Sequence, residues 1–329
     1  MSETTVPETG TPPTMGELLG DDTPNNWGKW GPDDEVGALN YLDAAAALKG
    51  AAEIRSGETF TLQIQMGYPE APGDPLWPGR EAAKRHNVID EGFWDRGEGK
   101  EFPGGLHYAD DVATIYTQGS TQYDALGHVW YDGKIWNGYD AKETIGGMHK
   151  ASVLPIAEKG IVGRGVLIDM ARHRGKSHLD KAETFDHTDL EAAAAAQGVT
   201  IEPRDILLVR TGFIPYWYET TPEEFYEDFC EPGLTYSREL VEWFQRMEIP
   251  NLVTDTIANE VTFDPVSGCA LPLHCSLMRN LGVTLTEIAW LDDLAEACAA
   301  DGRWTFMYTA APLKLVQGTG APVNPVVIR

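Results

Sequence analysis

The chain has 329 residues, enough for one large or two small domains around a substantial core. Its 51 Asp and Glu against 25 Lys and Arg give a net charge of −26, which excludes a phosphate-tracking nucleic-acid groove and an anionic membrane surface as partners. The carboxylates are dispersed, so the acidity reads as solubility, and no apolar stretch reaches the length of a membrane span.

Residues 1–25 are rich in Thr, Pro, Gly and Glu without periodicity and read as a flexible arm, leaving 26–329 as one domain. Met1–Pro7 has neither the basic start nor the apolar core of a signal peptide. A helix is expected from Asp43 through the Ala-rich run to Lys49. Residues 66–106 carry many Gly, Pro and Trp and suit a lid, a substrate loop or a segment packed on a neighbouring subunit. Val112–Tyr116 is β-branched and aromatic and predicts a strand ending in a turn.

Further on, Thr188 and Glu191 predict a capping box before Ala192–Ala196, with Gly198 as the stop. Ser237 is placed to cap a helix through Leu240–Phe244 that ends before Pro250. Short β-rich runs follow the helices, at Asp205–Arg210 and Leu252–Thr254, and strands cluster near the C-terminus. The alternation predicts an α/β fold with mixed strand pairing. Cys230, Cys269, Cys275 and Cys298 have spacings that suit neither a zinc knuckle nor a disulfide scaffold, so free thiols in a reducing cytoplasm are expected. No Walker A loop and no Gly-x-Gly-x-x-Gly fingerprint opens a helix, so no nucleotide cofactor is indicated.

The segment Thr117–His128 carries the chemistry. It places two amides, a carboxylate, an imidazole and several hydroxyls within twelve residues. On an extended backbone Gln118, Gln122 and Asp124 share a face, and His128 can return to the same spot as an acid or base. Ser120 and Thr121 either orient a substrate or brace the turn. Tyr123, Trp130, Tyr131 and Trp136 either pack in the core or suit a cyclic or aryl substrate. Asp255, Asn259 and Glu260 follow a predicted strand and reach a pocket or cap a turn. Arg210 ends another strand, where it pairs with a core carboxylate or holds a substrate anion.

The segment resembles the signature of the cyclase family of metal-dependent hydrolases, which includes bacterial kynurenine formamidase and isatin hydrolase. The family pattern is H-x-G-T-H-x-D-x-P-x-H or a longer-spaced form. Here Asp124 and His128 match it, Gln118 and Gln122 stand at the two earlier His positions, and Leu126 replaces the Pro. Asn26–Asn40, Arg164–Asp169, Asp205–Gly212, Leu271–His274 with Gly282–Glu287, and the closing runs Ala311–Leu315, Gly318–Val323 and Pro325–Val326 are similar to family segments in the same order.

The resemblance implies a swivelling β/β/α fold with a mixed sheet and flanking helices. It implies a homo-oligomer, dimer or tetramer. It also implies a divalent-metal centre built from Gln118, Gln122, Asp124, His274 and Glu287. With two imidazoles replaced by amides the set is harder, which favours Mn²⁺ over Zn²⁺. The expected activity is hydrolysis of an amide, lactam or lactone bond in a small cyclic or aromatic substrate, with His128 as acid and base. Two other classes stay open. One is a metal-free lyase, dehydratase or cyclase in which His128 and Asp124 move protons. The other is a silent binding protein, against which the retained ionisable groups argue.

Overall fold

The longest apolar runs of the sequence become the centre of one sheet. The computed structural model describes residues 11–67 and 76–329. In chain order its strands are β1 (Thr59–Thr61), β2 (Lys84–Ile89), β3 (Asp110–Thr114), β4 (Gln122–Asp124), β5 (Ile161–Asp169), β6 (Thr184–Phe185) and β7 (Ile206–Arg210). They continue with β8 (Gly233–Leu234), β9 (Asn251–Thr254), β10 (Thr284–Glu287), β11 (Thr305–Ala310), β12 (Gly320–Pro322) and β13 (Val326–Ile328). Nine of these form the main sheet in the order β1-β13-β11-β5-β7-β9-β10-β4-β12.

The middle strands β5, β7, β9 and β10 run parallel, and antiparallel strands extend both edges. Parallel strands are covered on both faces, which is why Ile206–Val209 reads as an unbroken apolar run. Alternate residues serve the two faces. Val166, Ile168, Leu207 and Val209 join one core with Leu190, Leu240, Trp243 and Leu277. Leu167, Ile206, Leu208 and Val253 join the other with Trp136, Ile156, Leu294 and Phe306. The result is a single α/β domain with a large mixed sheet and flanking helices.

The three expected helices form. Asp43 caps Ala44–Ala51 through the Ala46 N–H, and Ser237 caps Arg238–Arg246 through the Leu240 N–H. The third starts earlier than expected. Asp186, not Thr188, accepts the free N–H groups of His187–Gln197 and makes a capping box with Asp189, while Gly198 ends it in the left-handed conformation.

Other expectations need correction. Within the segment expected as a flexible arm, Met15–Leu19 is a short helix with a Thr14–Glu17 capping box; residues 1–10 lie outside the described residues. The segment 66–106, expected to be irregular, contains β2 and the helix Glu91–Asp95, while residues 68–75 lie outside the described residues. Val112–Tyr116 begins within a strand, β3, that gives way to a turn as expected, and the sequence named no partner for it. Among the described residues β3 pairs with β2 alone, as a two-stranded ribbon whose residues are exposed along β3. Ala311–Leu315 follows β11 as irregular chain rather than as a closing strand.

Candidate metal centre

β4 is only three residues long, yet its register arranges the site. Glu287 lies opposite Gln122 in the antiparallel β10–β4 pair, so both side chains project from one face. Gln122 Nε2 donates to Glu287 Oε2 at 2.5 Å. Asp124, two residues on, shares that face. Its backbone is opposite Gly320 of β12, where a Cβ would come within 2.6 Å of Gln118 Nε2.

The third contributor arrives on a different element. His274 opens the π-helical stretch His274–Leu281, whose first N–H groups need acceptors. Glu260 supplies them: its Oε2 accepts from Leu273 N at 2.8 Å and its Oε1 from His274 N at 2.6 Å. The same Oε1 is 2.7 Å from His274 Nδ1, while His274 Nε2 is 3.1 Å from Glu287 Oε1. Asp124, His274 and Glu287 each bring a ligand-type atom to within 4.8 Å of the others, and all three are buried. Their groups come from the end of β4, a helix start and the end of β10, and local strain accompanies them. Ile288, next to Glu287, has φ 55°, and Asn259, next to Glu260, has φ 56°. A β-branched residue rarely adopts such a φ, so surrounding packing holds it there.

The electrostatics of the cluster are dominated by burial. Burial disfavours a charged His274, but Glu260 and Glu287 outweigh it and lift the imidazole to about 10. Burial and repulsion from Asp124 raise Glu287 to about 7. Burial pushes Glu231 well above the usual carboxylate range.

Acceptor oxygens are left over. Among the described residues Asp124 Oδ1, Gln122 Oε1, Glu231 Oε2 and Asn259 Oδ1 are buried without a hydrogen-bond partner, as is Ser120 Oγ. Each such atom costs about 1–3 kcal/mol if nothing meets it. Carboxylate and amide oxygens with one imidazole suit a hard or borderline divalent cation, so the residues present fit such an ion.

The expected site residues divide. Gln122, Asp124, His274 and Glu287 converge. Gln118 does not join them: its Nε2 donates to Thr319 Oγ1 at 3.1 Å, and its Oε1 accepts from Thr117 Oγ1 at 2.8 Å. His128 is partly buried. Its imidazole has no hydrogen-bond partner among the described residues, and burial lowers its pKa against the pull of Asp124. Three residues expected beside a substrate are placed otherwise. Thr121 braces the strand, donating to Ile288 O at 2.6 Å and accepting from Ile64 N at 3.0 Å. Tyr123 alternates to the opposite face of β4, where its hydroxyl meets Asn251 and Tyr308 in the core. Trp130 is 47% exposed on the loop that follows.

Of the residues whose roles were open, Arg210 pairs with Asp169 and Asp292, and Asp255 accepts from the Thr211 and Gly212 backbone. Both are structural. All four cysteines are free, and burial lifts the Cys275 thiol to about 12, which leaves it inert. Two residues carried no readable signal. Glu231 lies two residues before β8, and its Oε1 accepts from Ile257 N at 2.5 Å close behind the cluster. Arg80 lies in the loop expected as a lid, where its charge favours the ionised form of Glu287.

Comparison with known proteins follows the same outline. The family model described as Putative cyclase matches residues 59–261. A solved structure described as a novel cyclase is 34% identical, with a TM-score of 0.84, over 93% of this chain and 100% of that one. Isatin hydrolase A from Labrenzia aggregata, bound to benzyl benzoate, is 19% identical with a TM-score of 0.58, over 88% of this chain and 98% of that one. Isatin hydrolase A from Ralstonia solanacearum is 19% identical with a TM-score of 0.57, over 86% and 94% of the two chains. The curated proteins contain no match.

Proposed function

The chain belongs to the cyclase family, and from that premise we propose that it is a metal-dependent hydrolase of an amide, lactam or lactone bond in a small cyclic or aromatic substrate. The observation that carries this is the trio Asp124, His274 and Glu287, with acceptor oxygens of Asp124 and Gln122 buried and unmet among the described residues. Asp124, Glu287 and His274 Nε2 would hold the cation, with Gln122 Oε1 as a fourth donor. Mn²⁺ suits this oxygen-rich set better than Zn²⁺. A divalent cation bound there would lower the pKa of water and polarise an acyl carbonyl.

The chain's own residues then have distinct tasks. Glu260 fixes the His274 ring through Nδ1, which turns Nε2 toward the carboxylates. Gln122 holds Glu287 through its amide N–H. His128, neutral near pH 7 because burial lowers its pKa, accepts the proton of the attacking water and returns it to the leaving nitrogen or oxygen. Ser120 Oγ, buried and unpaired among the described residues, offers a hydroxyl to the substrate.

A second reading has its own support. Both ring nitrogens of His274 already meet carboxylates, so the network Gln122–Glu287–His274–Glu260 closes by itself. In that case His128 and Asp124 move protons in a lyase, dehydratase or cyclase reaction. Elemental analysis of protein purified without chelator separates the two. Near-stoichiometric Mn or Zn that falls in Asp124→Ala supports the hydrolase; no metal after dialysis against Mn²⁺ removes it. Turnover of a lactam, lactone and formamide panel, lost in His128→Ala with metal retained, assigns the proton transfer.

We place the protein in the cytoplasm, since four free thiols suit a reducing compartment. Among the described residues no helix is long and apolar enough to cross a membrane. A homo-oligomer, dimer or tetramer, is also proposed. The exposed β2–β3 ribbon supports it, because two strands are marginal alone and Val88 and Val112 face solvent. Light scattering reads the mass.

A further inference from the structure

We propose that Arg80 is the specificity determinant of the site and that the substrate carries a carboxylate, or a similar planar anion, beside the bond that is cleaved. This deepens the hydrolase reading and rests on the Asp124–His274–Glu287 cluster being the reaction site.

The segment that brings Arg80 is held in place. Leu76 N donates to Tyr226 Oη at 2.9 Å, and the Tyr226 hydroxyl donates to Leu76 O at 2.7 Å. Trp77 packs edge-on against Phe229 at 6.1 Å between ring centroids, and Arg80 N closes a turn on Trp77 O at 3.1 Å. At the end of this strap Arg80 Nη1 donates to the Gln118 carbonyl at 2.9 Å. Gln118 is four residues before Gln122, and its amide lies against Gly320, the partner of Asp124. The guanidinium is thereby fixed beside Gln118, ahead of β4. Its charge is felt by both His128 and Glu287.

The fork is otherwise open. A guanidinium has five N–H donors, and among the described residues Arg80 uses one of them, on a neutral carbonyl. In a chain with twice as many acidic as basic residues this half-buried Arg has no carboxylate partner among the described residues. Arg210 shows the contrast, since it is paired with Asp169 and Asp292. An open planar fork beside a reaction centre matches a carboxylate with two parallel hydrogen bonds. Such an anchor orients the scissile bond toward the cluster and His128.

The test is equilibrium binding of two probes, benzoate and benzamide, to the full chain, followed by calorimetry with Mn²⁺ and again in chelator. Wild type, Arg80→Met and Arg80→Lys are compared. The expected result is benzoate binding that weakens about tenfold or more in Arg80→Met and less in Arg80→Lys, with benzamide changed less than about twofold. Benzoate that does not bind wild type, or binds Arg80→Met equally well, overturns the proposal. Equal loss of both probes also overturns it, because Arg80 then only braces Gln118. If Arg80→Met does not fold, Arg80→Lys decides: it keeps the charge and loses the fork, and unchanged benzoate affinity there overturns the planar-anion assignment. The two readings fail separately. Arg80-dependent benzoate binding without turnover of any acyl substrate removes the hydrolase alone. Turnover with indifferent benzoate binding removes the Arg80 assignment alone.

Discussion

Glu260 holds His274 twice with one oxygen: Oε1 accepts from the backbone N–H at 2.6 Å and faces the ring Nδ1 at 2.7 Å. A helix-capping carboxylate thus also sets the direction of the imidazole. Replacing it with an amide, Glu260→Gln, retains the shape and one acceptor but removes the charge that draws the Nδ1 proton. Metal affinity is expected to fall about 10–100-fold, as for other carboxylates that orient ligand histidines. Titration with Mn²⁺ followed by calorimetry checks this, and an unchanged affinity would leave Glu260 as a cap alone.

Asp124 and Glu287 are buried carboxylates, and burial first, then repulsion from Asp124, raises Glu287 to about 7. Asp124→Asn removes one charge and keeps the volume. The metal-free variant is expected to be more stable than metal-free wild type by about 1–2 kcal/mol, a rise of a few degrees in Tm. Added Mn²⁺ should stabilise wild type and no longer stabilise the variant. Thermal unfolding of both proteins, with and without Mn²⁺, gives the four values needed. A variant still stabilised by Mn²⁺ would move the cation elsewhere.

How much of this was legible depended on how local each determinant is. β5 and β7 are readable because strands buried on both faces are apolar throughout, as in Ile206–Val209. The caps at Asp43 and Ser237 are readable because the acceptor sits beside the N–H it serves. β4 carries the site yet spans three residues, and only pairing with Glu287 and Gly320 distinguishes it from a turn. The composition of Val112–Tyr116 predicts a strand correctly but says nothing of its partner, which is an exposed ribbon. Gln118 matches a spacing, yet its amide turns to Thr319, a residue about 200 positions away. Glu231 and Arg80 reach the site through long-range packing and leave no local pattern.

Glu183 links stability to acid pH away from the site. Partial burial opposes its ionisation, but Lys176, Arg174 and the Asp180 N–H prevail and hold it at about 2, below its ordinary 4.5. A carboxyl with a lowered folded pKa stabilises fully above the unfolded value and loses that contribution as pH falls. The window is therefore about pH 4.5 down to about 2. Glu183→Gln should lower stability at neutral pH by about 1–2 kcal/mol, allowing for the solvent exposure of Lys176. It should also flatten the acid limb of the denaturation midpoint plotted against pH. An unaltered acid limb would assign that region to other carboxylates.

Tyr123 separates a core role from a substrate role. It lies between Gln122 and Asp124, but strand alternation sends its ring into the core opposite them, fully buried. Its hydroxyl is 2.9 Å from Asn251 Oδ1 and 3.0 Å from the Tyr308 hydroxyl, a network that ties β4 to β9 and β11. Tyr123→Phe keeps the ring and leaves Asn251 Oδ1 without its donor, an unmet buried acceptor that costs about 1–3 kcal/mol. The expected result is a lower urea midpoint with unchanged slope, unchanged metal content and unchanged KM. A rise in KM at constant stability would instead return Tyr123 to the substrate side, against the direction its strand imposes.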